Sequence, residues 1–228
     1  MKLFHHPFCP NSRFIRLMLG EFGLAADLVQ EETIKRRPEF LALNPAGTTP
    51  VLVEEDVIVC GPLVIAEYLE ETRGESNGSR CLLPSDPRAR AEIRRIANWF
   101  NEKFYAEVSE PLVREKILKR RLPQAEGGGP PNSETLRAAH TNIRYHLKYI
   151  GWLLKMRSWL AIDRLTYADL AAASHLSAID YLGDVPWDED ETAKNWYAQM
   201  KSRPSFRPLL ADIVPGLSAS KDYTNLDF

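Results

Sequence analysis

The sequence Asn44-Pro45-Ala46-Gly47-Thr48-Thr49-Pro50-Val51-Leu52-Val53 places a proline directly before a short apolar strand. Proline has no N–H to donate to a strand ladder, so a proline at the start of a strand indicates an unusual turn. Pro45 and Gly47 are themselves typical turn residues. The stretch therefore predicts a shaped turn that leads into a strand at 51–53.

The elements around this turn follow the order βαβ and then ββα. Asn11 or Ser12 is predicted to cap the first helix, which ends at Gly23. Pro62 suits the first turn of the last helix. In chain order we expect a strand at 1–6, the first helix, a strand at 27–31 and a helix at 38–43. Strands at 51–53 and 57–59 and a helix from 62 follow.

The character of the chain changes after residue 73. Residues 74–85 are polar and rich in Gly and Ser, which predicts a linker between a domain at 1–73 and a second one at 86–217. Residues 218–228 form a C-terminal tail. The second domain shows helical periodicity throughout, with helices expected at 87–121, 133–156, 167–182, 190–202 and 205–213.

The composition is that of an ordinary globular protein. Hydrophobic residues make up 44% and charged residues 26% of the 228 residues, and the net charge of −2 gives no basic surface for nucleic acid. No apolar run is long enough for membrane insertion, so we expect a cytoplasmic protein. The three cysteines form no disulfide framework, and we predict no metal site.

A second motif, Leu165-Thr166-Tyr167-Ala168-Asp169, predicts a capping box, in which Thr166 caps a helix and Asp169 bonds back to the cap. Such a helix start is common when it stands alone. Together with 44–53 and with Arg203-Pro204-Ser205-Phe206, it resembles the glutathione transferase superfamily over nearly the whole chain. The resemblance implies an α/β thioredoxin-like N-terminal domain, an all-α C-terminal domain and a cis peptide bond before Pro50.

Cys9 lies in the turn between the first strand and the first helix, where a thioredoxin-like domain carries its reactive group. The positive end of a helix dipole stabilises a thiolate there. The position resembles the single-cysteine site of omega-like transferases, which exchange thiols through a mixed disulfide. The alternative is a small apolar residue that packs the turn. Ser12 is a second candidate, as a hydroxyl that orients a glutathione thiol.

The residues Gly61-Pro62-Leu63 argue against glutathione binding. Transferases that bind glutathione carry an acidic residue and then serine at the first two of these positions. The serine hydroxyl and backbone N–H hold the γ-glutamyl carboxylate at a helix N-terminus, and Pro62 supplies neither donor. Each lost hydrogen bond to a charged group costs about 1.5–3 kcal/mol. With only Thr49, Pro50 and the N–H of Leu63 left to bind it, glutathione is expected to bind weakly or not at all, and no cofactor is required.

The tail ends Asp222-Tyr223-Thr224-Asn225-Leu226-Asp227-Phe228, an apolar–acid–aromatic triplet after a polar segment. Unconstrained tails are normally polar, so this ending predicts docking, either onto its own domain or onto a partner. With His5-His6-Pro7 and the changed pair at 61–62, it resembles a narrower family, the FtsZ-localized division regulators of alphaproteobacteria. The resemblance implies a homodimer at the division site. It also implies that FtsZ filaments are bound by tail residues, for which we select Asp222, Thr224, Leu226, Asp227 and Phe228.

Two main functions therefore stay open at this point. The first is a transferase-like protein that binds FtsZ filaments and regulates cell division. The second is a glutathione-dependent transferase or thiol reductase that uses Cys9 as nucleophile, with Thr49 and Pro50 as the ligand-binding edge. A third, a stress-response scaffold without filament binding, has no sequence feature of its own. The sequence does not decide whether the protein is an enzyme.

Overall fold

The computed structural model describes residues 1–74, 78 and 81–226. Its N-terminal domain is built on a mixed four-stranded sheet. The strand order is β2–β1–β3–β4, with β1 parallel to β2 and antiparallel to β3. Leu3, at the centre of the sheet, pairs with Leu28 on one side and Leu52 on the other. The strands are β1 (Lys2–His5), β2 (Asp27–Gln30), β3 (Val51–Glu54) and β4 (Val57–Cys60), and the helices are α1 (Pro10–Phe22), α2 (Pro38–Leu43) and α3 (Pro62–Leu69).

The start of α1 differs from the prediction. Cys9, and neither Asn11 nor Ser12, is the N-cap residue, and its side chain makes no capping hydrogen bond. Pro10 occupies the first helical position because its fixed φ suits a helix start and its missing N–H would be unpaired there in any case. The helix ends as predicted at Gly23, whose φ of 67° lies in the left-handed region.

The C-terminal domain is helical, as predicted. A continuous helical run extends from Pro87 to Arg121, in which wider π turns separate two α-helical parts; the prediction of one regular helix missed these turns. The last helix is shorter than the predicted 205–213. The α-helices of this domain are α4 (Pro87–Asn98), α5 (Glu110–Val113), α6 (Ser133–Met156), α7 (Tyr167–Tyr181), α8 (Glu191–Lys201) and α9 (Arg207–Leu210).

The capping box at the start of α7 is confirmed. The Thr166 N–H donates to Asp169 Oδ2 at 3.0 Å, and the other carboxylate oxygen accepts bonds from the Leu160 N–H at 2.9 Å and from Trp196 Nε1 at 3.2 Å. Asp169 is completely buried, and burial raises its pKa to about 6. This one carboxylate therefore joins the start of α7 to the preceding loop and to α8.

Helix α7 is the centre of the molecule, since every one of its residues is buried. It packs against α1, and charged side chains also form contacts across this boundary between the N-terminal and C-terminal domains. Arg203 makes a bidentate pair with Glu21, with both N–O distances at 2.7 Å, and the Tyr167 hydroxyl donates to Glu67 at 2.7 Å. These contacts hold the thioredoxin-like sheet and the helical domain in one arrangement. No helix within the described ranges has the length and apolarity needed to cross a membrane.

Candidate functional site

Cys9 and the turn at Thr49–Pro50 lie next to each other. The Thr49–Pro50 peptide bond is cis, as the resemblance implied. The Cys9 thiol donates to the Thr49 carbonyl oxygen with an S–O distance of 3.7 Å. Cys9 is half-buried, whereas Thr49 and Pro50 are buried. The end of β1 and the start of β3 thus bring together two features that are 40 positions apart in the chain.

A cavity of about 340 Å³ opens beside Cys9, between the N-terminal turns and the helical run of the C-terminal domain. Of the near wall, the sequence analysis named Cys9 and Thr49, and of the far wall it named no residue. The far wall is contributed by Tyr105, Glu110, Val113, Leu118, Arg121, Leu122, Pro123 and Glu126. Charges of both signs surround this mainly apolar space, which therefore suits an amphipathic ligand or peptide segment.

Two ring side chains of the cavity, His6 and Tyr105, are neutral at physiological pH. Burial, with a smaller contribution from Arg121, lowers the pKa of His6 to about 4, and its Nδ1 accepts a hydrogen bond from the Phe8 N–H at 3.3 Å. Burial, followed by the nearby Cys9 and Glu110, raises the pKa of Tyr105. An uncharged imidazole and an uncharged phenol thus face the same space as the thiol.

Ser12 lies behind this cavity. Its side chain is completely buried, and its hydroxyl oxygen accepts a hydrogen bond from the His6 N–H at 3.3 Å. It does not line the cavity beside Cys9. This placement weighs against a role for Ser12 in orienting a bound thiol.

The start of α3 fails the test for a glutathione site. Pro62 occupies the first helical position, as predicted, and Gly61 before it has a φ of 91° and no capping side chain. The Gly61 N–H is itself bonded to the Pro50 carbonyl at 3.1 Å. Leu63 is half-buried and does not line the cavity. The only donors this helix start can offer a carboxylate are the N–H groups after Pro62, so we derive no chemical step through glutathione.

The C-terminal segment docks onto its own domain as far as Tyr223, one of the two possibilities left open by the sequence. Tyr223 is completely buried, and its hydroxyl accepts from Arg13 Nη1 at 3.0 Å. Thr224 and Leu226 are exposed, and the Asp222 side chain is 46% exposed. The predicted contact residues Asp227 and Phe228 lie outside the described residues. The sequence analysis missed Tyr223, although an aromatic residue inside a polar tail was a usable signal.

A serine, a histidine and an asparagine form a chain of hydrogen bonds inside the helical domain. Ser109 Oγ lies 2.8 Å from His175 Nδ1, and His175 Nε2 lies 3.1 Å from Asn101 Oδ1. Ser109 and His175 are completely inaccessible, and burial lowers the pKa of His175 to about 3. Because the serine and the histidine are both sealed from solvent, no substrate can reach them, so this network is structural. Among the residues that the structure describes, no group of acidic, histidine or cysteine side chains could hold a metal ion.

This fold is that of the glutathione S-transferase superfamily. The family model for the glutathione S-transferase N-terminal domain matches residues 3–77. The crystal structure of a glutathione S-transferase from Sinorhizobium meliloti 1021 is similar over 100% of this chain and 99% of its own, with a TM-score of 0.97 and 50% sequence identity.

A narrower relationship is equally clear. FtsZ-localized protein A from Caulobacter vibrioides is 46% identical over 99% of this chain and 97% of its own length. The solved structure of FzlA from C. crescentus has a TM-score of 0.91 and 45% identity, and covers 100% of this chain and 99% of that one. The chain therefore belongs to the family of FtsZ-localized protein A, within the glutathione S-transferase superfamily.

Proposed function

We propose that this protein binds FtsZ filaments through its C-terminal tail and regulates cell division in the cytoplasm, at the division site. The relationship to FtsZ-localized protein A supports an association with FtsZ. The observation that carries the role of the tail is its contrast in exposure. Tyr223 is buried, whereas the next residue, Thr224, and Leu226 are exposed. A buried anchor that is followed directly by exposed residues is suited to partner binding.

We propose further that the protein works as a homodimer. Two apolar patches are exposed on each chain: one at the edge strand β4 and on α3, the other along α6. The first comprises Val57, Ile58 and Val64, and the second Tyr145, Trp152 and Met156, with exposed fractions from 40% to 74%. Exposed apolar patches of this kind mark interaction sites.

Charge supports pairing of these two patches across a twofold axis. The first patch adjoins the acidic turn Glu54-Glu55-Asp56. In α6, residues 135–156 contain two arginines and two lysines and no acidic residue. An isologous dimer would bring the acidic patch of each copy against the basic patch of the other, which satisfies both.

A dimer also explains how a short tail can bind a filament firmly. Two tails on one dimer meet a polymer whose binding sites repeat. Once the first tail is bound, the second experiences an effective concentration in the millimolar range. The affinity for filaments should therefore exceed the affinity for single FtsZ subunits by about a hundredfold or more.

The dimer can be tested by replacing an aromatic residue in the α6 patch. Trp152→Asp should convert a dimer to a monomer in light-scattering measurements of molar mass. The control is Leu28→Asp, which introduces the same charge at a 48%-exposed leucine on β2, the opposite edge of the sheet. A Trp152→Asp variant that keeps the molar mass of the unchanged protein would exclude this interface.

The filament function can be tested by co-sedimentation with polymerised FtsZ. A variant that ends at Tyr223 should lose most of its binding, because it lacks all exposed tail residues after the anchor. The control is Asp188→Ala, which removes an exposed acidic residue outside the tail. Equal sedimentation of the full chain and the shortened chain would refute the role of the tail.

A second candidate function is thiol transfer at Cys9, and one observation favours it: the thiol lines a ligand-sized cavity next to a cis proline. This function predicts saturable heat on titration with glutathione and a mixed disulfide that is lost in Cys9→Ser. Cys60→Ser is the matched control, since Cys60 is also half-buried but donates to the Leu43 carbonyl away from the cavity. The filament function predicts little heat in the same titration.

A further inference from the structure

The side chain of Tyr223 is locked between the two domains. Its ring packs edge-on against the Tyr181 ring, with 5.1 Å between centroids. Its hydroxyl accepts from Arg13 Nη1 at 3.0 Å and donates to the Leu209 carbonyl at 2.8 Å. Arg13 is itself completely buried and also donates to Ser177 at 2.9 Å. A buried guanidinium needs its hydrogen-bond partners, so Arg13 favours the state in which Tyr223 is docked.

The backbone on the N-terminal side of Tyr223 is held as well. Lys201 is completely buried, and its Nζ donates to the Asp222 carbonyl at 2.8 Å. The Ser220 N–H donates to the Tyr181 carbonyl at 2.9 Å, and the Ser220 hydroxyl donates to the Asp180 carbonyl at 2.8 Å. Residues 220–223 are therefore fixed to α1, α7, α8 and α9.

The buried part of the segment ends at Tyr223, and a turn follows in which the Asn225 N–H donates to the Asp222 carbonyl at 3.1 Å. Thr224 and Leu226, just beyond the anchor, are exposed. A flexible tail must lose conformational freedom when it binds, and this weakens affinity, whereas a tail with a fixed start loses less. The position of Tyr223 thus decides how much of the tail is ordered before it meets a partner.

We propose that Tyr223 is a positioning residue for the filament-binding tail, and that its docking under Arg13 sets the position of the exposed residues that follow it, 224–226. This inference rests on the filament function proposed above. It assigns to Tyr223 no contact with FtsZ. On this inference, filament affinity depends both on the buried anchor and on the exposed contact residues.

The test is a set of co-sedimentation titrations with polymerised FtsZ. Tyr223→Ala should weaken binding roughly tenfold, the equivalent of ordering one or two more flexible residues on binding. Tyr223→Phe keeps the ring and should weaken binding by about twofold to threefold, because only the two hydroxyl bonds are lost. The control is Tyr167→Phe, which removes the hydroxyl of another buried tyrosine, bonded to the carboxylate of Glu67 at 2.7 Å; it should leave binding unchanged.

A second arm separates positioning from a general loss of structure. Each Tyr223 substitution is repeated in a chain that ends at position 223. The proposal expects no further loss of residual filament binding there, since no tail remains to be positioned. An equal loss in the long and the short chains would overturn it, as would a Tyr223→Ala variant that folds and binds like the unchanged protein. If Tyr223→Ala fails to fold, the same comparison is decided by Tyr223→Phe.

The proposed function of the tail and the proposed role of Tyr223 can be refuted separately. If the chain without residues 224–228 binds filaments as well as the full chain, the tail function is wrong and the anchor inference fails with it. If the tail is required but Tyr223→Ala and Tyr223→Phe both bind normally, only the anchor inference is wrong.

Discussion

Replacing Pro62 with serine should raise the affinity for glutathione, which we expect to be low in the unchanged chain. Pro62 is the first residue of α3 and provides no N–H, and Gly61 before it provides no side chain. Serine adds two donors, a hydroxyl and a backbone N–H, at a helix N-terminus that already favours anions. Each hydrogen bond to a carboxylate contributes about 1.5–3 kcal/mol.

Together the two donors amount to about 3–6 kcal/mol, which corresponds to an increase in affinity of roughly a hundredfold or more. The substitution also frees the unfolded chain from the proline ring, so the free energy of unfolding should fall by about 0.4–1 kcal/mol. Isothermal titration with glutathione measures the first effect, and urea unfolding measures the second.

The matched control is Pro87→Ser, because Pro87 also occupies the first position of a helix, α4. It should lose a similar amount of stability and gain no glutathione binding. The reasoning is refuted if Pro62→Ser binds glutathione no better than the unchanged chain. It is equally refuted if the unchanged chain already binds at low micromolar concentration.

Three further substitutions test the stability of the fold. Burial raises the pKa of Glu70 from 4.5 to about 7, so the folded state holds this proton more tightly and the free energy of unfolding should fall as pH rises across that range. Glu70→Gln, whose amide oxygen can still accept from the Leu82 N–H, should remove this slope in urea unfolding series at pH 4.5 to 8. Arg13→Met should cost about 2–3 kcal/mol in the same assay, because it removes the buried donor to the Ser177 and Tyr223 hydroxyls, whereas Asp212 keeps its pair with Arg16 at 2.7 Å. Thr166→Ala should cost about 1–2 kcal/mol through the lost cap.

Each of these has a clear contrary result. A pH slope that persists in Glu70→Gln would place the titrating group elsewhere. An Arg13→Met variant within about 1 kcal/mol of the unchanged protein would show that the buried network contributes little net stability. A Thr166→Ala variant without loss would mean that Asp169 alone satisfies the helix start.

Most of the fold was predictable because it is encoded locally. The turn and strand at 44–53, the αL glycine at Gly23, the helix start at Pro62 and the capping box at Thr166 each depend on residues within a few positions. Their elements lie where the pattern placed them. The predicted cap of α1 was wrong because the ring of Pro10 fixes the first helical position. Asn11 and Ser12 therefore lie inside the helix and cannot cap it.

The site was less predictable because its contacts are long-range. The Cys9–Thr49 contact followed from the resemblance, but the far wall of the cavity comes from a helical run whose face toward Cys9 only the assembled fold reveals. Arg13 and Tyr223 are 210 positions apart. In the sequence, Arg13 and Arg16 are two charges one turn apart on an otherwise apolar helix face, and no local pattern identifies their partners.

The start of α3 at Pro62 and the docked segment at Tyr223 are separate parts of the structure. The change at Pro62 affects the start of α3, whereas residues 220–223 are held by α1, α7, α8 and α9. Substitutions without shared partners act additively, to within about 0.3–0.5 kcal/mol. The double variant Pro62→Ser, Tyr223→Ala should therefore combine the glutathione affinity of the first variant with the filament affinity of the second. A glutathione-dependent change in filament binding by Pro62→Ser would instead show that the cleft and the tail are coupled through Arg13, which also donates to the Pro7 carbonyl beside the Cys9 turn at 2.7 Å.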